Sequence, residues 1–237
     1  MHRRRRRHGG GTGTAVSTIL VIGASRGIGF EFVRQYRAEW DRVIGTARDD
    51  VGLKRIEALG AHALRLDVTD PTGAAALRAQ LEGEKIDIAI YVAGVYSRGD
   101  AGAPPGLQEF DRVMHTNVLG AMRVLVLIAP LVEAADGRFA FVTSEMGRID
   151  RVASSHGWIY RASKAALNMA VAAAQTNYPR ATLVAINPGW VRTDLGGAGA
   201  PLDVERSVTA MRQTLGGLTR RHKGAFLNYD GRRYKTW

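Results

Sequence analysis

The feature that most constrains the fold is a glycine-rich turn between an apolar run and an amphipathic segment. Ile19 to Ile22 are apolar, the turn Gly23-Ala24-Ser25-Arg26-Gly27-Ile28-Gly29 follows, and residues 30–36 form the amphipathic segment. A strand, a bare backbone turn and a helix start in this order allow a pyrophosphate to bind at the positive end of the helix. Glycine-rich loops also occur as plain strand-to-helix connections, so the turn alone leaves both interpretations open.

A tyrosine and a lysine one helical turn apart indicate acid–base chemistry. Tyr160 and Lys164 lie in an alanine-rich stretch, and a separation of four residues puts both side chains on one helical face. A phenol with a pKa of about 10 is protonated at neutral pH, and a neighbouring cation favours the phenolate. We therefore expect a tuned acid and base. A solvated surface pair is the alternative, and the glycine-rich turn upstream favours catalysis.

Together with these two motifs, further residues make the chain resemble the short-chain dehydrogenase/reductase family from about Thr18 to the C-terminus. The glycine motif has that family's GxxxGxG spacing. The other matches occur in the family's order: Asp67-Val68, Ala93-Gly94, Asn117, Ser144, Tyr160, Lys164 and Asn187-Pro188-Gly189-Trp190-Val191-Arg192-Thr193. Residues 197–205 and 224–231 resemble more narrowly the C-factor-like and sniffer-type carbonyl reductases.

Alternating strand and helix patterns without an internal linker predict one α/β domain over residues 18–237. The resemblance implies a single doubly wound Rossmann fold, a seven-stranded parallel sheet in the order 3-2-1-4-5-6-7 with helices on both faces. Strands are predicted near residues 18–22, 42–47, 62–67, 86–92, 138–143, 181–187 and 224–228. Helices are predicted near residues 27–39, 51–58, 70–82, 107–134, 157–177 and 203–216.

Composition limits the chemistry and the location. The 237 residues include no cysteine, which excludes disulfides, thiol catalysis and cysteine-based metal sites, and we expect a metal-free mechanism. No uninterrupted apolar run reaches the roughly 18 residues of a membrane span, and the N-terminus lacks a stretch resembling a signal peptide. We expect a cytoplasmic protein without membrane contact. The resemblance is compatible with a homodimer or homotetramer.

The formal charge of +11 suggests nucleic-acid binding, but its distribution argues against it. Arg3 to Arg7 supply five of the positive charges, and Gly9-Gly10-Gly11-Thr12-Gly13-Thr14 follow without an apolar face. We therefore predict a disordered Arg/Gly-rich tail over residues 1–17 and no specific nucleic-acid partner. A start codon assigned too far upstream is the other explanation.

The end of the predicted second strand favours NADP(H) over NAD(H). An NAD enzyme usually has an acidic residue there to bind the ribose 2′-hydroxyl, but this chain has Ala47 followed by Arg48. Arg48, together with Arg26 in the glycine turn, can bind a 2′-phosphate through charge-assisted hydrogen bonds. Asp49 and Asp50 oppose this preference.

The resemblance implies reversible hydride transfer between nicotinamide and a carbonyl or alcohol substrate. In reduction Tyr160 would donate a proton to the substrate oxygen and Ser144 would hold that oxygen. Lys164 would lower the pKa of Tyr160 and bind the nicotinamide ribose, while Asn117 would hold a water. The cofactor-binding residues implied are Gly23, Ser25, Arg26, Gly27, Ile28, Gly29, Arg48, Asp67, Val68, Ala93, Gly94, Tyr160, Lys164, Pro188, Gly189, Val191 and Thr193.

Several departures from the family pattern leave questions for the structure. Tyr91 and Val92 replace the asparagines of the usual Asn-Asn-Ala-Gly. Ser144 and Tyr160 are separated by more residues than is common, which implies an insertion near residues 151–156, and Ser154 or Ser155 is the alternative to Ser144.

The loops that shape the substrate pocket carry aromatic residues, which suggests an apolar or aromatic carbonyl. A non-catalytic dinucleotide-binding regulator of the C-factor type is the alternative function.

Overall fold

Seven parallel strands form one sheet in the order β3-β2-β1-β4-β5-β6-β7. The computed structural model describes residues 17–39 and 41–237; the predicted disordered tail, residues 1–17, lies outside them except for Ser17. The strands are β1 Thr18–Ile22, β2 Arg42–Ala47, β3 His62–Arg65, β4 Ile88–Tyr91, β5 Arg138–Val142, β6 Thr182–Asn187 and β7 Phe226–Asn228. Neighbouring strands pair in parallel throughout, so the predicted doubly wound fold is confirmed.

Helices connect the strands and cover both faces of the sheet. They are α1 Gly27–Ala38, α2 Asp50–Ala58, α3 Gly73–Gln80, α4 Leu107–Met114, α5 Gly120–Glu133, α6 Trp158–Ala174 and α7 Val204–Gly216. The predicted positions agree with these helices to within a few residues. β3, β4 and α3 are shorter than predicted.

Side chains of β1 alternate between two apolar layers, as a strand buried on both faces requires. Leu20 and Ile22 pack in a layer with α3, α5 and α6. Ile19 and Val21 pack in the other layer with α1, α2 and α7. The central strands therefore hold their carboxyl ends in a fixed arrangement between two helical layers.

The longest helix joins α4 and α5 through a π-helical turn, His115–Leu119. Within the described residues this segment, Leu107–Glu133, is long and apolar enough by composition to cross a membrane, and half of its most apolar window is buried. The sequence prediction, which counted uninterrupted apolar residues, missed this helix as a candidate span because polar residues such as Asn117 and Arg123 interrupt its apolar sequence. Val124 and Ile128 belong to the core, so its apolar composition reflects packing on the sheet.

The predicted site residues collect at one edge of the sheet. The glycine turn follows β1, Arg48 follows β2, Asp67 lies just beyond β3, Ser144 just beyond β5 and Pro188 just beyond β6. In a doubly wound fold, ligands bind at this carboxyl edge. The fold therefore brings residues that are far apart in the sequence to one cleft.

Candidate active site

Close packing accounts for the glycines of the turn after β1. A Cβ atom on Gly29 would lie 2.1 Å from the Gly23 carbonyl oxygen, and one on Gly23, whose φ is +87°, would lie 2.8 Å from the Ala93 nitrogen. A Cβ atom on Gly27 would lie 3.5 Å from Cγ2 of Thr193. The turn, the residues after β4 and the loop after β6 therefore meet at one cleft.

The N-terminus of α1 begins in this turn without a capping side chain. Its N-cap residue, Arg26, makes no side-chain cap, and the first turn of α1 contains no acidic residue. Unpaired N–H groups and the positive end of the helix dipole favour an anion at such a position. Ser25 and Ile28, also predicted to contact the cofactor, are partly buried beside it.

Tyr160 and Lys164 lie in α6 one helical turn apart, and both are almost fully buried. Nζ of Lys164 lies 5.6 Å from the centroid of the Tyr160 ring and donates to the Val142 carbonyl at 3.1 Å. Burial raises the pKa of Tyr160 to about 12 and lowers the pKa of Lys164 to about 8. Loss of hydration thus shifts both groups toward their neutral forms.

Ser144 caps the short 3₁₀ turn at residues 145–147, directly after β5. It also lies near enough to the phenol of Tyr160 to oppose the rise in the pKa of that phenol. The alternative, Ser154, lies in an exposed part of the connection to α6. The structure therefore brings Ser144 to Tyr160 despite the longer separation in sequence.

Asn117 is fully buried in the π-helical turn and all its amide bonds are to protein groups. Its Nδ2 donates to the Val95 carbonyl at 2.9 Å and to Oγ of Ser163 at 3.0 Å, and its Oδ1 accepts from the Val95 N–H at 2.8 Å. Ser163 in turn donates to the Tyr160 carbonyl at 2.7 Å. Asn117 therefore ties the segment after β4 to the helix that carries Tyr160.

Gly94 lies between Asn117 and Lys164. A Cβ atom on Gly94 would lie 3.4 Å from Oδ1 of Asn117 and 3.5 Å from Nζ of Lys164. Tyr91, which stands in place of a family asparagine, donates its hydroxyl to the Thr116 carbonyl at 3.0 Å. A phenol thus supplies the tie to the π-helical turn at this departure from the family sequence.

The loop after β6 is fastened to the loop after β5 by the buried side chain of Asn187. Its Oδ1 accepts from the N–H groups of Glu145 and Gly189, at 3.1 and 3.2 Å. Its Nδ2 donates to Oδ1 of Asn228 at 2.9 Å and to Oη of Tyr234 at 3.1 Å. Sequence reasoning missed Tyr234 because nothing local marks a contact between β6 and a residue 47 positions later.

The remaining predicted cofactor residues line the same edge. Oδ1 of Asp67 accepts from the N–H and the hydroxyl of Thr69, at 2.9 and 2.7 Å, and so closes the turn after β3. Arg26 and Arg48 are exposed, and Arg26 pairs with Asp194 at 2.8 Å. Three others are at least partly buried: Val68, Pro188 and Val191. Residues 17–39 and 41–237 contain no group of three histidine, cysteine, aspartate or glutamate side chains that could hold a metal ion.

A pocket of about 490 Å³ opens between the loop after β4 and the start of α6. Pro104, Pro105 and Trp158 line it together with three charged residues, Arg98, Asp100 and Glu109. The ring of Tyr96, in the same loop, meets the Tyr160 ring edge to face with 4.8 Å between centroids. Of the predicted aromatic loops, the one that carries Tyr96 therefore lies beside the Tyr160 ring.

Comparison with known proteins agrees with this geometry. The short chain dehydrogenase family profile matches residues 17–200, and the chain belongs to this family. The C-signal protein of Myxococcus xanthus is 37% identical over 149 residues, which are 62% of this chain and 90% of that protein.

Two solved structures of the family resemble the fold closely. A short-chain dehydrogenase/reductase from Burkholderia multivorans with bound NADP is 33% identical, has a TM-score of 0.83, and the match covers 92% of this chain and 98% of that one. Carbonyl reductase Sniffer of D. melanogaster is 27% identical, has a TM-score of 0.86, and the match covers 94% and 100%. The expected resemblance to C-factor-like and sniffer-type proteins is confirmed.

Proposed function

We propose that this chain is an NADP(H)-dependent oxidoreductase that interconverts a carbonyl and an alcohol, with Tyr160 as the acid–base group. The observation that carries the proposal is the contact of Ser144, Tyr160 and Lys164 beside the glycine-rich cleft. The Burkholderia relative holds NADP, and Sniffer is a carbonyl reductase. Both relationships support the same assignment.

The residues of the cleft fit a dinucleotide phosphate cofactor. The bare backbone of the glycine turn lets α1 pack closely against the end of β1, and α1 begins there without a cap. Gly27, Ile28 and their neighbours would hold the pyrophosphate, and Arg48 would bind the 2′-phosphate. The bound nicotinamide supplies or accepts a hydride.

Tyr160 is suited to donate a proton in the reductive direction. Its pKa of about 12 keeps the phenol protonated at neutral pH, and Ser144 would hold the same substrate oxygen. Among residues 17–39 and 41–237 the Lys164 ammonium makes one hydrogen bond, to the Val142 carbonyl, which leaves two N–H groups for the ribose and the phenol. We assign Asn117 to positioning, because its amide bonds Val95 and Ser163; the second acceptor site of its Oδ1 could still hold the expected water.

We infer an apolar or aromatic carbonyl substrate. Tyr96 covers one side of Tyr160, and Trp158 and two prolines line the adjoining pocket. Such surfaces bury apolar groups and stack on aromatic rings. A screen of aldehydes, ketones and quinones with NADPH, followed by loss of nicotinamide absorbance, tests this inference.

The change Tyr160→Phe tests the acid–base assignment. It removes the proton donor and keeps the ring, so NADPH affinity should hold while carbonyl reduction falls by about a hundredfold to ten-thousandfold. Tyr178→Phe, four residues beyond the end of α6, is the matched control and should leave the rate unchanged. A wild-type rate in Tyr160→Phe would make Tyr160 structural. If no carbonyl or alcohol reacts at all, the alternative of a non-catalytic dinucleotide-binding regulator gains support.

The cofactor preference is tested at Arg48. NADPH should bind at least about tenfold more tightly than NADH, since one charge-assisted hydrogen bond contributes roughly 1.5–3 kcal/mol. Arg48→Asp should narrow or reverse that ratio, because a carboxylate repels the phosphate and can accept from a ribose hydroxyl. Titration by fluorescence or calorimetry measures both affinities. Equal binding of the two cofactors by the wild type would contradict the NADP(H) assignment.

A further inference from the structure

Two carboxylates stand where a 2′-phosphate site needs positive charge. Arg48 is followed directly by Asp49 and Asp50, at the end of β2. In this fold the adenosine ribose lies at the end of that strand. A phosphate monoester carries about −1.5 to −2 charges at pH 7, so two unneutralised carboxylates beside Arg48 would cancel its attraction. The structure shows which groups bind each of these carboxylates.

Asp49 is used as a helix cap. Its Oδ1 accepts from the N–H of Gly52 at 2.8 Å, which places the carboxylate at the positive end of α2. Gly52 in turn is packed against the cleft, since a Cβ atom on it would lie 2.7 Å from the Cβ atoms of Ser25 and Ala47. The start of α2 thus borders the glycine turn, with the charge of Asp49 offset by the helix.

Asp50 is neutralised by Arg65, a residue on the neighbouring strand. Arg65 lies opposite Ala47 in the β2–β3 register, and its Nη2 forms an ion pair with Oδ1 of Asp50. Its Nη1 donates to the Arg48 carbonyl at 2.8 Å. One guanidinium therefore contacts both the backbone of Arg48 and the carboxylate that would oppose it.

The exposure of this pair argues against a mainly structural role. The side chains of Arg65 and Asp50 are 55% and 77% exposed, and exposed ion pairs contribute little to folding stability. Arg65 matters more for the local charge than for stability. With Arg65 present, two arginines, Arg48 and Arg65, balance two carboxylates, Asp49 and Asp50, at the end of β2. Without Arg65 this corner of the cleft carries a net negative charge.

We propose that Arg65 determines cofactor selectivity by neutralising Asp50, so that Arg48 can bind the 2′-phosphate. This inference rests on the proposed NADP(H)-dependent function. Arg65 is a positioning and charge-balancing residue that acts through Asp50, and the phosphate ligand itself is assigned to Arg48. The coupling predicts that removing Asp50 makes Arg65 dispensable.

A double-mutant cycle measures this coupling without a known substrate. NADPH and NADH are titrated against wild type, Arg65→Met, Asp50→Asn and the double variant at low ionic strength, with binding followed by fluorescence. Arg65→Met should weaken NADPH by about tenfold and change NADH by less than about twofold. The double variant should regain the wild-type NADPH/NADH ratio to within about twofold. Melting temperatures should stay within about 2 °C of wild type.

Arg55→Met is the matched control, since it removes an exposed arginine of α2 for which no ion pair occurs in the described part of the chain. It should leave both affinities unchanged. An unchanged ratio in Arg65→Met, or a double variant that stays as weak as Arg65→Met, overturns the coupling while NADPH preference in the wild type stands. A wild type that binds neither cofactor, or prefers NADH, contradicts the proposed function and the inference falls with it.

Discussion

At the residue scale, the property that matters most is the burial of a lysine ammonium. Lys164 is almost completely buried, and no ion pair to it occurs among residues 17–39 and 41–237. Its hydrogen bond to the Val142 carbonyl holds Nζ, but loss of hydration still lowers its pKa to about 8. A residue that we propose binds the cofactor as a cation is therefore half neutral only slightly above physiological pH.

Cofactor affinity should follow this titration. If the ammonium binds the ribose, NADPH binds best below pH 8 and its affinity falls as pH rises through that value; we expect about a tenfold loss between pH 7 and 9.5. Lys164→Met should bind more weakly at pH 7 and show little change over the same range. Calorimetric titration at several pH values measures the slope. An equal slope in both proteins would assign the titration to another group.

What sequence predicts at this scale is local spacing. The separation of Tyr160 and Lys164 follows from helical periodicity alone, and both lie in α6 as expected. The direction of the Tyr160 pKa shift could not be predicted, because burial is set by tertiary packing. Arg65 was missed for the same reason: its partner, Asp50, is 15 positions earlier, on the preceding element α2.

At the element scale, the unit formed by β1, the glycine turn and α1 depends on the absence of two side chains. A Cβ atom on Gly29 would lie only 2.1 Å from the Gly23 carbonyl oxygen. The atoms in the way are backbone, so rotation of a side chain cannot relieve the clash. The helix must approach the strand this closely for its N-terminus to face the cleft.

Gly29→Ala should therefore damage both folding and binding. We expect a loss of about 2–4 kcal/mol in the free energy of unfolding, a lower melting temperature and weaker NADPH binding. Gly216→Ala is the control: it also adds one methyl group to a helix but meets no atom within 4 Å, and it should be neutral or stabilising by up to about 1 kcal/mol. Thermal and urea denaturation compare the two. A Gly29→Ala protein as stable as wild type would mean the turn can shift.

Hydrophobic periodicity predicts most elements but not the π-helical turn. The pattern over residues 107–134 is that of one continuous helix, and the chain does run on as a helix. The change of register at His115–Leu119 coincides with Asn117, whose side chain bonds Val95 and Ser163. Those contacts come from two other segments, so the 3.6-residue pattern carries no sign of them.

At the scale of the whole molecule, the described sheet is complete without the arginine-rich N-terminal residues. β1 begins at Thr18, and the Ser17 carbonyl already accepts from the Arg42 N–H at 2.9 Å. In the sequence, the positive charge of the domain itself is concentrated near the C-terminus. Residues 218–237 contain one acidic residue, Asp230, and six basic ones: Arg220, Arg221, Lys223, Arg232, Arg233 and Lys235. No ion pair to these six residues occurs within the part of the chain that the structure describes.

Removal of residues 1–14 should leave the melting temperature and NADPH affinity unchanged, because these residues precede the whole of the sheet and the cleft. Differential scanning fluorimetry and cofactor titration compare the two proteins. Nucleic-acid retention by the full chain should be lost with the segment. Tight, salt-resistant binding of DNA or RNA by the shortened protein would instead place a basic site on the folded domain.

The tryptophans beside the cleft give this protein built-in optical probes. Trp158 lines the pocket at the start of α6, and Trp190, on the loop after β6, donates its indole N–H to the Gly196 carbonyl at 2.8 Å. That bond makes the environment of the Trp190 indole depend on the shape of its own loop. Single-tryptophan variants would therefore report the pocket and the loop as separate emission signals, and closure over a ligand could be timed without attaching a label.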